Sequence, residues 1–302
     1  MGSTPAARTT CSSVAMPLAK GISPTLMKRL LSVIGIGAGN PDHMTVQAID
    51  ALNRADVILI PDKGEEKADL ARLRTGICER FIRDRSYRTA VVRIPPRRAV
   101  AVPATGADAP SGDAGRLDAD YRSAVEDWHE AIAVAYERVL AEEVVDGERA
   151  AILVWGDPSL YDSTLRILER VAARGRIELD WDVIPGITSI QALAARHRIV
   201  LNEIGGSVTI TTGRRLVEGL PAGAATTVVM LDGEEAFRAL DPDLEIVWGA
   251  YLGMEREILV RGRIGDVAGE IARLRAAAKA QHGWVMDIYM VRPAGKAASG
   301  HD

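Results

Sequence analysis

Short apolar runs alternate with longer segments of helical periodicity along the first two thirds of the chain. The runs lack the polar alternation of a strand with one solvated face, which is typical of strands that are buried on both faces. The predicted strands are residues 31–36, 57–60, 90–94, 151–155 and 181–184, and the predicted helices are residues 45–54, 68–81, 121–143 and 164–173. This order predicts an α/β fold with a parallel sheet covered by helices on both faces.

A second unit of the same kind begins near Ser207, after a polar connection. Its predicted strands are residues 207–212, 226–231, 245–251 and 285–292, and its predicted helices are residues 234–240 and 266–279. Residues 192–203 are then the last helix and the linker of the first unit. We therefore predict an N-terminal α/β domain at 28–203 and a C-terminal α/β domain at 204–293.

Three segments lie outside this pattern. Residues 1–27 are rich in Ser, Thr, Ala and Pro and lack the apolar stretch of a secretory signal, so we predict a disordered extension. Residues 294–302 are predicted to be a loose tail. Residues 95–118 are rich in Ala, Gly, Pro and Asp and are too long for an ordinary connection, which indicates an exposed insertion or a lid.

The first strand ends in three alternating glycines, Gly35, Gly37 and Gly39, followed by Asn40 and Pro41. Such a turn exposes backbone atoms to a ligand. A dinucleotide-binding turn would need its third glycine where Asn40 stands, and Pro41 indicates that the next helix begins there. The turn alone is therefore compatible with a dinucleotide, with another ligand or with no ligand.

Two further glycine turns follow predicted strands, at Gly156-Asp157-Pro158 and at Pro185-Gly186. The carboxyl ends of parallel strands meet at one edge of a sheet, and ligands bind at that edge. The three turns together therefore predict a cleft.

Composition narrows the classes of function. A formal net charge of −4 and a pI of about 5.8 argue against general nucleic-acid binding. The 2 cysteines and 5 histidines have no metal-ligand spacing, so we predict no metal site and no disulfide framework. No apolar run approaches the ~20 residues that span a bilayer. A reduced, cytoplasmic protein is the expectation.

The ordered set of motifs resembles the tetrapyrrole (precorrin) methylase family. The segments are GIGAGNPDHMT from Gly35, ADVILIP from Ala55, WGDPSLYDST from Trp155, VIPGITSIQALAA from Val183, TTGRR from Thr211, TTVVML from Thr226 and GAYLGMERE from Gly249. Within the family the chain is most similar to the deacetylating branch. That branch is indicated by MLDG from Met230, where many relatives have a Tyr-Met pair, and by the insertion after Ile94.

The resemblance implies a fold of two α/β domains with S-adenosylmethionine in the cleft between them, and a homodimer. It also implies a C-methyltransferase of aerobic cobalamin (vitamin B12) biosynthesis, which methylates C1 of precorrin-5 and releases acetate. The products would be precorrin-6A and S-adenosylhomocysteine.

Ten residues are implied as cofactor contacts by their positions in these motifs. They are Pro41, Trp155, Gly156, Asp157, Tyr161, Thr188, Ser189, Leu231, Asp232 and Ala250. Asp232 departs from the methionine that is more usual in the family. In-line methyl transfer needs alignment and desolvation more than an enzyme nucleophile, which suits a chain without a recognisable catalytic triad.

Substrate recognition and acetate release leave alternatives open. The segment from Arg72 to Arg98 is rich in arginine, and Arg214 and Arg215 follow a second-unit strand; these residues could bind substrate carboxylates or form a solvated basic face. His43, Asp42 and Glu203 are the titratable groups nearest to the motif turns, and we assign none of them as catalytic base.

Two other functions compete with the deacetylating methylase. One is a sister precorrin C-methyltransferase that acts at another ring position. The other is a nucleotide-binding module without turnover, in which the Gly35–Gly39 turn would bind NAD or a phosphate; Asn40 and Pro41 argue against that reading.

Overall fold

The computed structural model of the protein describes residues 27–62, 68–83, 86–96 and 114–294. Most of the predicted extension at 1–27, of the predicted insertion at 95–118 and of the predicted tail at 294–302 lies outside these ranges. No helix in the described ranges has the length and apolarity to cross a membrane.

A parallel sheet of five strands forms the first unit, as predicted. Its strands are β1 (Lys28–Gly35), β2 (Val57–Asp62), β3 (Arg88–Arg93), β4 (Arg149–Val154) and β5 (Glu178–Ile184), in the order β3-β2-β4-β1-β5. The helices are α1 (Val46–Asn53), α2 (Ala68–Phe81), α3 (Ala114–Glu143), α4 (Thr164–Ala173) and α5 (Ser189–His197).

Alternate residues of β1 explain why helices cover both faces of this sheet. Leu31 and Val33 pack in one core with residues of α3 and α4, whereas Ile34 packs in a second core with residues of α1 and α2. Successive side chains of a strand point to opposite faces, so an apolar run without alternation supplies both cores.

The second unit is a mixed five-stranded sheet. Its strands are β6 (Val208–Thr212), β7 (Thr226–Met230), β8 (Glu245–Ala250), β9 (Ile258–Arg263) and β10 (Asp287–Arg292), in the order β6-β7-β10-β8-β9. Only β6 and β7 pair in parallel; the other pairs are antiparallel. Helices α6 (Gly213–Leu216) and α7 (Ile264–His282) contribute to the core on one face, and α5 packs on the other.

Several predicted elements differ from the structure. The last helix and linker of the first unit are predicted at 192–203, and the helix in the structure, α5, begins earlier, at Ser189, because the Thr188 side chain caps it together with Gln191. It ends where Arg198 turns left-handed at φ 55°. The helix predicted at 234–240 is only a short 3₁₀ turn at Ala236–Ala239, and strand β9 was not predicted. The two sheets fall on either side of residues 203 and 204, and the domain boundaries stay a prediction.

Two predicted strands of the second unit are also one residue too long. Leu231 and Tyr251 have φ angles of 54° and 51°, so β7 and β8 end before them. A left-handed backbone cannot continue a β ladder.

The three glycine turns of the first unit are in direct contact at the carboxyl edge of the sheet. Gly37 and Gly156 form an antiparallel bridge, in which the Gly156 amide donates to the Gly37 carbonyl at 2.9 Å. A Cβ atom on Gly186 would lie 2.1 Å from the Gly156 oxygen, and one on Gly35 would lie 2.6 Å from the Gly186 nitrogen. Glycine is required at Gly35 and Gly186 because backbone occupies the space of a side chain.

We predict that Gly186→Ala destabilises the protein strongly, because the added methyl group forces two turns apart. Overpacking of this kind costs about 3 kcal/mol. Gly76→Ala is the matched control, since a Cβ at that helical position meets nothing within 4 Å, and alanine there should raise stability by up to about 1 kcal/mol. Urea unfolding of both variants checks this, and equal midpoints would contradict the packing described here.

Candidate functional site

A cavity of about 200 Å³, open to solvent, lies between the two sheets. The loops after β1, β4 and β7, the start of α5 and the start of β10 form its walls. Its lining residues are Ala38, Trp155, Gly156, Asp157, Leu160, Tyr161, Asp162, Thr188, Ser189, Met230, Leu231, Leu252, Met286, Asp287 and Ile288. A mostly apolar cavity with a few convergent polar groups is the usual form of a small-molecule site.

Seven of the ten residues predicted to contact the cofactor line this cavity. They are Trp155, Gly156, Asp157, Tyr161, Thr188, Ser189 and Leu231. Tyr161 and Leu231 are exposed, and both have positive φ angles in the left-handed region. The structure thus brings these residues together, and their contact with the cofactor stays a prediction.

Pro41 and Ala250 are not among the lining residues. Pro41 begins a 3₁₀ turn, Pro41–His43, which the Asn40 side chain caps by accepting from the Asp42 amide. Ala250 is fully buried in the core of the second unit. Pro41 lies three positions after the lining residue Ala38, and Ala250 lies two positions before the lining residue Leu252.

Asp232 faces the second unit and not the cavity. Its carboxylate accepts hydrogen bonds from the Glu234 amide at 3.1 Å, the Ala236 amide at 2.8 Å and the Tyr289 hydroxyl at 2.6 Å. Burial and this hydrogen bond raise the pKa of Tyr289, so the phenol stays protonated and donates. Asp232 therefore holds the loop after β7 in place, a role that its sequence position did not indicate.

Eight lining residues were not predicted from the sequence. They are Ala38, Leu160, Asp162, Met230, Leu252, Met286, Asp287 and Ile288. The first five lie in or next to the quoted motifs, so the motifs carried a signal for them. The last three come from the start of β10, which reaches the cavity only because it inserts between β7 and β8.

The carboxylates at the cavity are held by defined partners. Asp157 accepts from the Gly186 amide at 2.9 Å and from the Ser159 amide at 2.8 Å. Burial opposes its ionisation, but these bonds and one from the Ser159 hydroxyl outweigh burial, so the pKa of Asp157 is lowered. It is therefore a carboxylate at neutral pH, and it links the turn at Gly156 to the turn at Gly186.

Asp287 has a closed set of partners on the opposite wall. It accepts from the Trp248 indole at 2.9 Å and from the Arg275 guanidinium at 2.8 Å. Burial raises the pKa of Asp287, while the Arg275 charge acts in the opposite direction. The pair anchors the start of β10 beside the cavity.

None of the three titratable groups considered as a base lines the cavity. Asp42 is paired with Arg80, and Glu203 is exposed. His43 is wedged between Gly37 and Gly253, and burial lowers its pKa. Within the described part of the chain, its Nδ1 atom has no hydrogen-bond partner.

Metal and thiol chemistry find no support in the described residues. No group of three or more His, Cys, Asp or Glu side chains there is arranged to hold a metal ion. Burial raises the pKa of the Cys78 thiol to about 11, which keeps it protonated and unreactive. Cys11 lies outside the described residues.

Comparison with known proteins identifies the family of the chain. The family model for Tetrapyrrole (Corrin/Porphyrin) Methylases matches residues 30–268. The chain is 51% identical over 267 residues to a Precorrin-6A synthase [deacetylating] from a Sinorhizobium species, a match that covers 88% of this chain and 95% of that protein.

Solved structures share the architecture. A cobalamin synthesis related protein (CobF) from Corynebacterium diphtheriae superposes with a TM-score of 0.70 at 33% identity, covering 88% of this chain and 98% of that one. A uroporphyrin-III-C-methyltransferase from Thermus thermophilus superposes with a TM-score of 0.54 at 20% identity, covering 87% and 92% of the two chains, and supports the fold alone. The chain belongs to the tetrapyrrole methylase family.

Proposed function

We propose that this protein is an S-adenosylmethionine-dependent C-methyltransferase of cobalamin biosynthesis, which methylates C1 of precorrin-5 and releases acetate to give precorrin-6A. The observation that carries the proposal is the identity with a Precorrin-6A synthase [deacetylating] over nearly the whole of that protein. The cleft between the two sheets supports the proposal, because it offers one site where a methyl donor and a flat macrocycle can meet.

The residues around the cavity fit S-adenosylmethionine. Bare backbone at Gly156 lets a planar group approach closely, and Thr188 and Ser189 present the start of a helix to a carboxylate. When bound, this cofactor supplies an electrophilic methyl group. Leu160, Leu252 and Ile288 would exclude water from that group and so favour transfer to carbon.

The chain's own contribution to the chemistry is then alignment and desolvation. A cavity that fixes donor and acceptor in line replaces a bimolecular encounter by a single oriented step. Loss of the acetyl group as acetate takes up one water, and we assign no side chain as its base. Precorrin-5 carries several carboxylates, for which buried arginine is the preferred protein partner.

The assembly and the location belong to the same proposal. We expect a homodimer, as the family resemblance implies, and a cytoplasmic enzyme, as the absence of cysteine pairing indicates. Light scattering after size exclusion checks the dimer, and a mass of a single chain would contradict it.

Product analysis tests the reaction. The purified protein is incubated with S-adenosylmethionine and precorrin-5, and mass spectrometry and an acetate assay follow the products. We expect a product that has gained a methyl group and lost the acetyl group, with one acetate for each S-adenosylhomocysteine. Methyl gain without acetate would indicate a sister methylase, and NAD binding without turnover would indicate a nucleotide-binding module.

We predict that Gly156→Val removes cofactor binding. Gly156 has a φ angle of 67° and lines the cavity, so the new side chain both strains the backbone and fills the site. We expect S-adenosylhomocysteine to bind at least about 10-fold more weakly in calorimetry, which corresponds to about 1.4 kcal/mol.

Gly175→Val is the matched control for this variant. Its φ angle of 64° gives the same backbone strain of about 2 kcal/mol, but a Cβ there meets nothing within 4 Å and the position does not line the cavity. Equal S-adenosylhomocysteine affinities in the two variants would show that Gly156 is not at the cofactor.

A further inference from the structure

A second, small cavity of about 40 Å³ adjoins the first at the carboxyl ends of the first sheet. Pro61 of β2 and Leu153 of β4 form part of its wall, and Arg74, Tyr136 and Asp162 contribute its polar groups. Asp162 lines both cavities, so they are neighbours across one side chain. The second cavity is not needed to hold the methyl donor.

Arg74 reaches this cavity from α2 with most of its charge unpaired. Its Nε atom donates to the Leu153 carbonyl at 2.9 Å. Among the described residues no carboxylate lies within 4.0 Å of the guanidinium, and its four other N–H groups have no hydrogen-bond partner. Burial lowers the pKa of Arg74, while the neighbouring Tyr136 and the carboxylate of Asp162 act in the opposite direction.

Tyr136 places a second unpaired donor in the same cavity. Tyr136 belongs to α3, and its side chain packs in the core of the first unit and is only 3% exposed. Within the described ranges its hydroxyl makes no hydrogen bond, and it is not among the fully buried atoms that lack a partner, so it faces the accessible space of the cavity. Burial raises its pKa, so the phenol remains a donor at any physiological pH.

A purely structural role does not account for this pair. Capping the Leu153 carbonyl uses one of the five N–H groups of Arg74 and leaves the Tyr136 hydroxyl unexplained. Two other buried arginines have acceptors: Arg275 bonds Asp287, and Arg29 bonds the Leu140 carbonyl and Asp146. A guanidinium and a phenol that both lack acceptors are the donor set for a carboxylate.

We propose that this second cavity is a subsite for one carboxylate side arm of the macrocycle, which Arg74 and Tyr136 bind together. This inference rests on the proposed function. An arm anchored at Arg74 lies next to the cofactor cavity, because Asp162 lines both cavities.

The test compares Arg74→Met with Arg138→Met. Both changes remove one positive charge and keep a long apolar side chain, but Arg138 is exposed on α3 and does not line either cavity. We expect Arg74→Met to raise the KM for precorrin-5 by about 10- to 100-fold, as loss of a charged hydrogen bond does. Arg138→Met should keep the KM of the wild-type protein.

Three further measurements separate this role from a structural one. Arg74→Met should bind S-adenosylhomocysteine with unchanged affinity and should not melt below the wild-type protein, since it removes a buried unpaired charge. Arg74→Lys should have a KM for precorrin-5 between those of the wild-type protein and Arg74→Met. Tyr136→Phe removes only the hydroxyl and should raise KM by about 3- to 10-fold.

Failure of the carboxylate subsite and failure of the proposed function give different results. If the wild-type protein does not convert precorrin-5, the proposed function fails. If it does, and Arg74→Met, Tyr136→Phe and Arg138→Met all share the wild-type KM, the carboxylate subsite is overturned while the function stands. A lowered melting temperature of Arg74→Met with an unchanged KM would assign Arg74 to the support of β4 alone.

Discussion

The loops after β1, β4 and β5 meet through bare backbone at Gly35, Gly156 and Gly186. A side chain at Gly186 would fall 2.1 Å from a carbonyl oxygen, so the approach exists only because these positions carry none. The contact sets the spacing of three strand ends, and Asp157 stabilises it by accepting a hydrogen bond from the Gly186 amide. The lining residues Trp155, Gly156 and Asp157 and the start of α5 take their places from it.

Helix α5 carries that geometry across to the second sheet. Its first turn, capped by Thr188, lies at the cavity, and its apolar face, with Ile190 and Leu193, packs against Val228, Val247 and Met290. Both walls of the cavity are therefore tied to one short helix. The width of the cleft depends on the packing of this helix as much as on the loops that line it.

Polar groups near the cleft fall into two kinds. Asp287 with Arg275 and Trp248, and Asp232 with Tyr289, form closed sets in which each buried group has a partner. Such sets hold backbone in place. Arg74 and Tyr136 form an open set, whose donors face a cavity. Donors that face a cavity and make no hydrogen bond within the protein are where a ligand's charge is expected, and this contrast separates binding groups from supporting ones.

Much of the fold follows from local sequence, because hydrophobic periodicity and capping residues act over a few positions. Helices α2 and α4 coincide with their predicted ranges, and the five apolar runs of the first unit form a parallel sheet. Strand β9 was missed because its sequence, Ile-Leu-Val-Arg-Gly-Arg, mixes apolar and charged residues at the edge of the sheet. The ordered motifs also identified the family and the turns that surround the cleft.

Which side chains face the cleft was decided by tertiary structure alone. Asp232 follows Leu231 directly, yet Leu231 lines the cavity whereas Asp232 accepts a hydrogen bond from Tyr289 in the core. The two side chains diverge because the chain turns left-handed at Leu231. Met286 and Asp287 reach the site only through the insertion of β10 between two earlier strands. The unpaired state of Arg74, one arginine among many in its segment, depends on the distances to every neighbour that packs around it. Sequence determines local conformation over short spans, whereas the direction and the partners of a side chain depend on contacts between residues far apart in the chain.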